Sequence, residues 1–499
     1  MLDSLQRHAI WLAFPAGALL SLAFAPFNVW PLAILCPAFL MLAWQGATPR
    51  QAARVGFWFT AGTFLAGTYW IYHSVHIIGQ APVWIALFLM AGMVSILALY
   101  TAAFGYAQAR WLPATGVLRW LAALPAGWVL VEWFRGWFLS GFPWLAVGYT
   151  QLDTPLAGLA PVVGVYGVSL AVLLTTGALV GAVLSSGRQR YVLLVLAGLP
   201  WVAGWGLQRQ QWTRPTGEQV SVAIVQGAVP QEMKWSAEQR DSTLELYRSL
   251  TEPHFGAKII LWPEAALPDL AHSVVDFLEQ LWRDAREQGS DVVLGQLRQD
   301  PQTGAVYNSI LALGGEPQWY DKRRLVPFGE FFPVPPFVRQ WLRLMSLPNS
   351  DISAGEAEQP ALRVAGQWLG ATICYEDAYG SQQLAVLREA TLLVNVTNDA
   401  WFGDSTAPHQ HLQISRMRAL EAGRPLLRGA NDGVTALIAA DGTVVNTIPQ
   451  FEPGVLTGTV HPRTGLTPYA RVGNWPAILT CFVLVALAAA LRIRSSRKN

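Results

Sequence analysis

The sequence predicts a polytopic α-helical membrane protein of about eight spans, with a separate α/β domain inserted before the last of them. Three observations lead there. Of 499 residues, 53% are hydrophobic and 13% charged, with a mean hydropathy of +0.31, about half the charge of a soluble globular chain. The deficit is local: the chain has 34 Lys and Arg and 32 Asp and Glu, of which residues 1–207 hold eleven. Residues 208–474 instead alternate short β-branched runs with helical stretches, the pattern of an α/β domain. This composition excludes a wholly soluble protein and a long disordered chain, which would be polar and charge-rich. A formal charge of +2 gives no reason to expect nucleic acid as a partner. Three cysteines, Cys36, Cys374 and Cys481, are too few for a disulfide framework.

A membrane helix needs about 20 mostly apolar residues. Candidate spans are 9–26, 30–45, 55–73, 82–107, 118–138, 158–184, 191–207 and, beyond the polar interval, 475–491. The apolar run of the first is too long for a cleavable signal peptide, and no small-residue cleavage site follows it. Arg7 precedes span one. Arg50 and Arg54, then Arg110 and Arg119, then Arg188 and Arg190 fall in alternate loops, and Arg492, Arg494, Arg497 and Lys498 follow the last span. Basic loops stay in the cytoplasm, so both termini are expected there and residues 208–474 on the far side. Arg135 alone breaks the alternation. The expected organisation is 1–207 as a seven-span domain, 208–474 as an extracytoplasmic domain, and 475–499 as a closing helix with a basic cytoplasmic tail. Glu132, Arg135 and Asp153 lie near membrane depth, where charges need partners or water. Around Gly141-Phe142-Pro143-Trp144 they shape a polar vestibule, or Glu132 and Arg135 simply pair between helices.

Within the inserted domain, strands are expected at 220–225, 258–262, 291–295, 309–313, 369–374, 392–396 and 435–439. Helices are expected at 236–252, where Ser236 and Gln239 form a capping box, and at 271–288, 380–390 and 408–424. The stretch 325–347 is crowded with Pro, Phe, Trp and Leu without a clear period, and reads as an ordered apolar loop.

Ligand and catalytic groups of α/β domains gather at the carboxyl ends of strands. Three such places carry ionisable groups: Trp262-Pro263-Glu264, Tyr320-Asp321-Lys322 before Val326-Pro327-Phe328-Gly329-Glu330, and Cys374-Tyr375-Glu376-Asp377. Taken singly, each has an ordinary explanation; a lone Cys ending a strand is usually a small buried hydrophobe. Together they suit acyl transfer, because a thiol with a free pKa near 8.5 needs a base and a cation to become a nucleophile. The order Glu264, Lys322, Cys374 resembles the nitrilase, or carbon–nitrogen hydrolase, superfamily. That resemblance implies an αββα sandwich and an acyl group carried as a thioester.

A nitrilase-like domain between seven spans and one closing span is similar to the apolipoprotein N-acyltransferase family. Matching words run through most of the chain: Gly141-Phe142-Pro143-Trp144, Val225-Gln226-Gly227, Pro230-Gln231 with Lys234-Trp235, Trp262-Pro263-Glu264, Leu325 to Glu330, Ile373 to Glu376, Asn398 to Gly403, and Thr464 to Tyr469. The resemblance implies Glu264, Lys322 and Cys374 as the catalytic triad, with Trp235, Glu330, Tyr375 and Glu376 in supporting or substrate-binding roles. It implies a bacterial inner-membrane enzyme with its catalytic domain on the periplasmic side. A membrane phospholipid would be the acyl donor, and the N-terminal α-amine of a diacylated apolipoprotein the acceptor. No cofactor and no metal are expected: in His409-Gln410-His411 the two rings diverge on a helix, and pairing His409 with Cys374 would leave Glu264 and Lys322 unexplained. A membrane-tethered amidase or nitrilase acting on a small amide or nitrile is the alternative. A transporter with a sensing domain is a further one, and the scarcity of intramembrane charge argues against it.

Overall fold

The structure, a computed structural model, describes residues 2–231, 234, 237–327, 329–331 and 352–496. The chain divides into two compact units, Met1–Gln211 with Arg471–Asn499, and Trp212–Ala470.

The first unit is helical. Among the described residues, four helices are long and apolar enough to cross a membrane: Val83–Trp111, Pro155–Leu184, Gly187–Leu207 and Trp475–Arg494. His8–Ala23 and Leu32–Ala43 are shorter apolar helices. The remaining expected spans fall on Pro49–Gly67, and on Leu124–Arg135 entered through the wide turn Arg119–Ala123. Pro49–Gly67 starts with reciprocal capping, in which Gln51 N donates to Thr48 Oγ1 and Thr48 N donates to Gln51 Oε1, as a helix N-terminus requires.

Large apolar side chains point outwards, Trp11 at 78% exposure and Phe88 at 71%, and small residues face inwards. A Cβ on Gly17 would lie 1.8 Å from the Phe59 carbonyl oxygen, and one on Gly62 would lie 2.1 Å from that of Phe14. Glycine at both contacts lets Leu2–Leu20 and Pro49–Gly67 touch backbone to backbone. Glu132 and Arg135 do not pair with each other. Glu132 Oε1 accepts from Trp128 Nε1 at 3.0 Å and Val147 N at 2.9 Å, and the Arg135 guanidinium lies 4.8 Å over the Phe64 ring. Both line a cavity of about 30 Å³ with Thr60, Thr63 and Thr101; Asp153 is exposed.

The second unit is a four-layer αββα sandwich. Its main strands are β1 Val220–Gln226, β2 Ile259–Leu261, β3 Asp291–Gln299, β4 Val306–Leu313, β5 Pro317–Asp321, β6 Leu362–Val364, β7 Gln367–Ile373, β8 Leu392–Thr397, β9 Leu426–Ala430, β10 Ala436–Ile438, β11 Val444–Thr447 and β12 Gly454–Val460. One six-stranded sheet runs β12-β1-β2-β3-β4-β5 and the other β11-β10-β9-β8-β7-β6. The middle of each is parallel: Ala223 sits beside Ile260 and Ile260 beside Val292, and Ala371 beside Val394 and Val394 beside Leu427.

Strand side chains alternate between faces. Val222, Ile224, Ile259 and Leu261 pack against Leu369, Ile373, Val394 and Val396 between the sheets. Ala223, Val225 and Ile260 turn outwards to helices Ala237–Thr251 and Val275–Glu287 through Tyr247, Leu278 and Leu281. Leu393, Leu426 and Ile438 meet helix Ala407–Ala422 at Ala419 and Ala422 on the opposite outer face.

Two expectations need correction. The stretch 380–390 forms the short 3-10 turns Gly380–Gln383 and Val386–Arg388; Gly and Ser at its start disfavour a helix nucleus. Five strands (β5, β6, β9, β11 and β12) fall outside the expected set. They are short or broken by Gly and polar residues, and owe their place to neighbours in the sheet. Ser236 of the expected capping box lies outside the described residues, as does the 325–347 loop apart from 325–327 and 329–331.

Candidate active site

The parallel strands converge on one end of the sandwich. Trp262 is wholly buried and fixes the exit of β2: its backbone N donates to Val293 O at 2.8 Å and its Nε1 to Thr251 Oγ1 at 3.0 Å. The next turn brings Glu264 across β3, where a Cβ on Gly295 would sit 2.5 Å from the Glu264 Cα. Only glycine allows that approach.

Lys322 follows β5 and is 1% exposed. Its Nζ donates to Glu264 Oε1 at 3.0 Å and to Glu330 Oε1 at 2.8 Å. Asn308 Nδ2 bridges the same two carboxylates, at 2.7 Å and 2.9 Å. The second oxygen of Glu264 accepts from Asn398 N at 2.9 Å, and that of Glu330 from Val326 N at 2.8 Å. A buried lysine would ordinarily lose its proton. Burial does press the Lys322 ammonium down, but Glu264 and Glu330 outweigh it and hold the group well above the usual lysine range.

Cys374 ends β7 with φ +49°, a left-handed conformation that costs a non-glycine residue of order 1–3 kcal/mol and clusters at functional turns. Glu376 stabilises the turn. Its Oε2 accepts from Ile373 N at 2.9 Å and from the Tyr320 hydroxyl at 2.8 Å, and its Oε1 from Arg323 N at 2.7 Å. One carboxylate thus ties the Cys374 turn to the loop carrying Lys322. Burial pushes the Cys374 thiol up and the Glu264 carboxylate adds to this, whereas the Lys322 cation and a hydrogen bond with Thr397 oppose it. The thiol therefore rests protonated. Tyr375 is partly exposed, and its hydroxyl accepts one from Tyr379 at 3.0 Å. Trp235 lies outside the described residues.

The fold brings together Glu264, Lys322, Glu330, Glu376 and Cys374, which come from three separate loops. It adds groups that the motifs did not single out. Asn308 is mid-strand in β4, where nothing in a β-branched run marks it. His411, not His409, lies by the nucleophile: its Nε2 is 3.1 Å from the Cys374 carbonyl oxygen and its Nδ1 3.0 Å from Asp399 Oδ1. His409 is half-buried. Cys374, Asp399 and His411 also form the one cluster of three metal-capable side chains among the described residues, with ligand atoms all within 4.8 Å of one another. Arg428 donating to Asp399 at 2.7 Å already supplies a cation there.

Comparison with known proteins fits both units. The apolipoprotein N-acyltransferase N-terminal domain matches residues 16–178, and the carbon–nitrogen hydrolase domain matches residues 221–469. An apolipoprotein N-acyltransferase of Methylococcus capsulatus is 42% identical over 98% of this chain and 98% of its own. One from Photobacterium profundum is 40% identical over 97% of this chain and 96% of its own. Among solved structures, an amidase from Nesterenkonia sp. is similar at 20% identity, covering 52% of this chain and 95% of its own with a TM-score of 0.39. Similarity to the acyltransferases runs through helical and sandwich units alike, and by it the chain belongs to the apolipoprotein N-acyltransferase family.

Proposed function

We propose that this chain transfers an acyl chain from a membrane phospholipid to the N-terminal α-amine of a diacylglyceryl-cysteine, using Glu264, Lys322 and Cys374. The observation that carries the proposal is the Lys322 ammonium clasped by Glu264 and Glu330 beside a buried thiol. Glu264 takes the thiol proton as Cys374 attacks the ester carbonyl. Lys322 and the Tyr375 N–H stabilise the oxyanion, each such donor being typically worth about 3 kcal/mol. The ester C–O bond breaks, a lysophospholipid leaves with the proton, and a thioester remains on Cys374. The lipoprotein amine, with a pKa near 8, then attacks the thioester and gives its proton to Glu264; the C–S bond breaks, the amide product leaves, and Glu264 returns the proton to the Cys374 sulfur. Glu330 and Glu376 hold Lys322 and the nucleophile turn in place, and Trp235 and Tyr375 contact substrate.

The helical unit serves this chemistry because both donor and acceptor are anchored in lipid. The apolar runs support about eight spans, and the loop charges support both termini in the cytoplasm with the sandwich across the membrane; membership of the family supports a bacterial inner membrane, and so the periplasm as the far side. A protease added to cells stripped of any outer membrane is expected to cleave within 212–470, and protection there would overturn the sidedness. The amidase alternative draws no support from the names of the curated relatives.

The decisive test is phospholipid without acceptor. About one lysophospholipid per active site is expected, followed by a stall. A hydroxylamine-labile acyl group should remain on Cys374, and a diacylated lipopeptide should discharge it. Steady release of free fatty acid would replace the transferase with a lipid hydrolase.

A further inference from the structure

Beneath the nucleophile lies a buried polar lattice that the cycle above does not use. His411 Nε2 reaches the Cys374 carbonyl oxygen at 3.1 Å, and Asn395 Nδ2 reaches the same oxygen at 3.4 Å. On its other side His411 Nδ1 meets Asp399 Oδ1 at 3.0 Å, and the second oxygen of Asp399 accepts from Arg428 Nη2 at 2.7 Å. Arg428 Nη1 continues to Asn395 Oδ1 at 2.7 Å and to the Ser415 hydroxyl at 3.1 Å. Ser415 donates in turn to Asp377, whose other oxygen accepts from the Thr372 hydroxyl at 3.0 Å. His411, Asp399, Asn395, Arg428, Ser415, Asp377 and Thr372 are all buried. The lattice starts on β7, passes through β8, β9 and helix Ala407–Ala422, and returns to the turn after Cys374.

We propose that His411 is a positioning residue for acyl transfer, holding the Cys374 carbonyl so that the strained nucleophile turn keeps its thiol and its following N–H aimed at the ester. The placement of the ring separates this role from that of a base. Nε2, the nitrogen that would have to take the thiol proton, is bonded to the carbonyl of Cys374 instead. The Asp399 carboxylate, which burial alone would raise but which His411 and Arg428 bring down to about 2, keeps the ring from turning. A left-handed residue that is not glycine persists only where its surroundings over-determine it, and this lattice supplies that constraint. The role rests on Cys374 being the nucleophile and Glu264 its base.

The test uses full-length enzyme in phospholipid micelles without acceptor. It measures the single-turnover rate of lysophospholipid release, the KM for phospholipid and the melting temperature. His411→Gln keeps a donor at the Nε2 position, whereas His411→Asn keeps one only at the Nδ1 position. We expect His411→Asn to slow release about 10- to 100-fold, the scale of a misplaced reacting group, with KM unchanged. His411→Gln should stay within about fivefold of wild type, the residual cost of an imperfect donor. Equal losses in the two variants would overturn the proposal, and so would wild-type rates in both. If His411→Asn does not fold, His411→Gln decides alone: retained rate supports positioning, and loss beyond 100-fold at an unchanged melting temperature overturns it. Glu264→Gln, measured in parallel, separates the two readings. If that variant retains its rate while His411→Gln is dead, His411 is the base and both readings fail; if both are dead, only the positioning role fails.

Discussion

Arg119 in the helical unit and Arg428 in the sandwich are both buried guanidiniums, yet they are satisfied in different ways. Arg119 donates to two backbone carbonyls, those of Pro113 at 3.0 Å and Trp44 at 3.1 Å, and its Nε makes no hydrogen bond. Arg428 donates to a carboxylate, an amide oxygen, a hydroxyl and a carbonyl, so that each of its three nitrogens has a partner. The same contrast separates Glu132, held by an indole and a backbone N–H, from Glu264, held by a lysine, an amide and a backbone N–H. In the helical unit the few charges end on neutral dipoles. Around Cys374 in the sandwich they end on one another. Opposite charges fix each other's ionisation and geometry in a way that neutral partners do not, and acyl transfer needs both.

The comparison can be broken by experiment. The largest expected effect is on catalysis: Glu264→Gln should lower single-turnover lysophospholipid release about 10³-fold, the usual scale for a lost general base. Near-normal release would mean that the paired charges around Cys374 serve the fold and not the chemistry. Next comes stability. Arg428→Leu strands a buried Asp399 and should cost about 3–5 kcal/mol, read as a loss of the folded full-length enzyme on heating or in urea.

The acid limb gives a smaller signal. Asp399 is lowered from 3.8 to about 2 by His411 and Arg428 against its burial. A folded value below the ordinary one means that the stabilisation is complete above about pH 4 and is lost as pH falls towards 2, worth about 2 kcal/mol in all. Wild type should therefore lose stability over that window more steeply than Asp399→Asn, and parallel curves would show that the carboxylate is not held by its cationic neighbours. The smallest effect is expected in the helical unit, where Arg119→Leu gives up two neutral acceptors and should cost about 1–2 kcal/mol. A loss as large as that of Arg428→Leu would erase the distinction.

Much of this was legible in the residues. Glu264, Lys322 and Cys374 each leave a strand or its end, so period-2 runs and the motif order single them out as candidates, and Glu330 and Glu376 stand inside the same words. Asn308 was hidden because a polar residue in mid-strand looks the same whether it faces water or a carboxylate. His411 was hidden by its neighbour: His409-Gln410-His411 offers two rings, and only the rotation of helix Ala407–Ala422 against β8 and β9 decides which one meets Cys374. The five strands outside the expected set escape a reading of the sequence because their order comes from pairing, as with β12, which lies along β1 from Val460 beside Val220 to Gly454 beside Gln226.

Residue types and their local spacing determined where the chain turns apolar, where strand and helix alternate, and which ionisable groups stand at strand ends. Those properties act over a few residues, through side-chain transfer energy and backbone periodicity, and need no folded partner. Tertiary structure alone decided that one lysine lies between two carboxylates from separate loops, and that a histidine 37 positions downstream reaches the Cys374 carbonyl. It also decided that a single glutamate, Glu376, binds two active-site loops together. These are contacts between groups far apart in the chain, their strength set by burial and by the orientation of whole elements. The last of them, Glu376 reaching Tyr320 and Arg323, exists only once the two sheets close on each other.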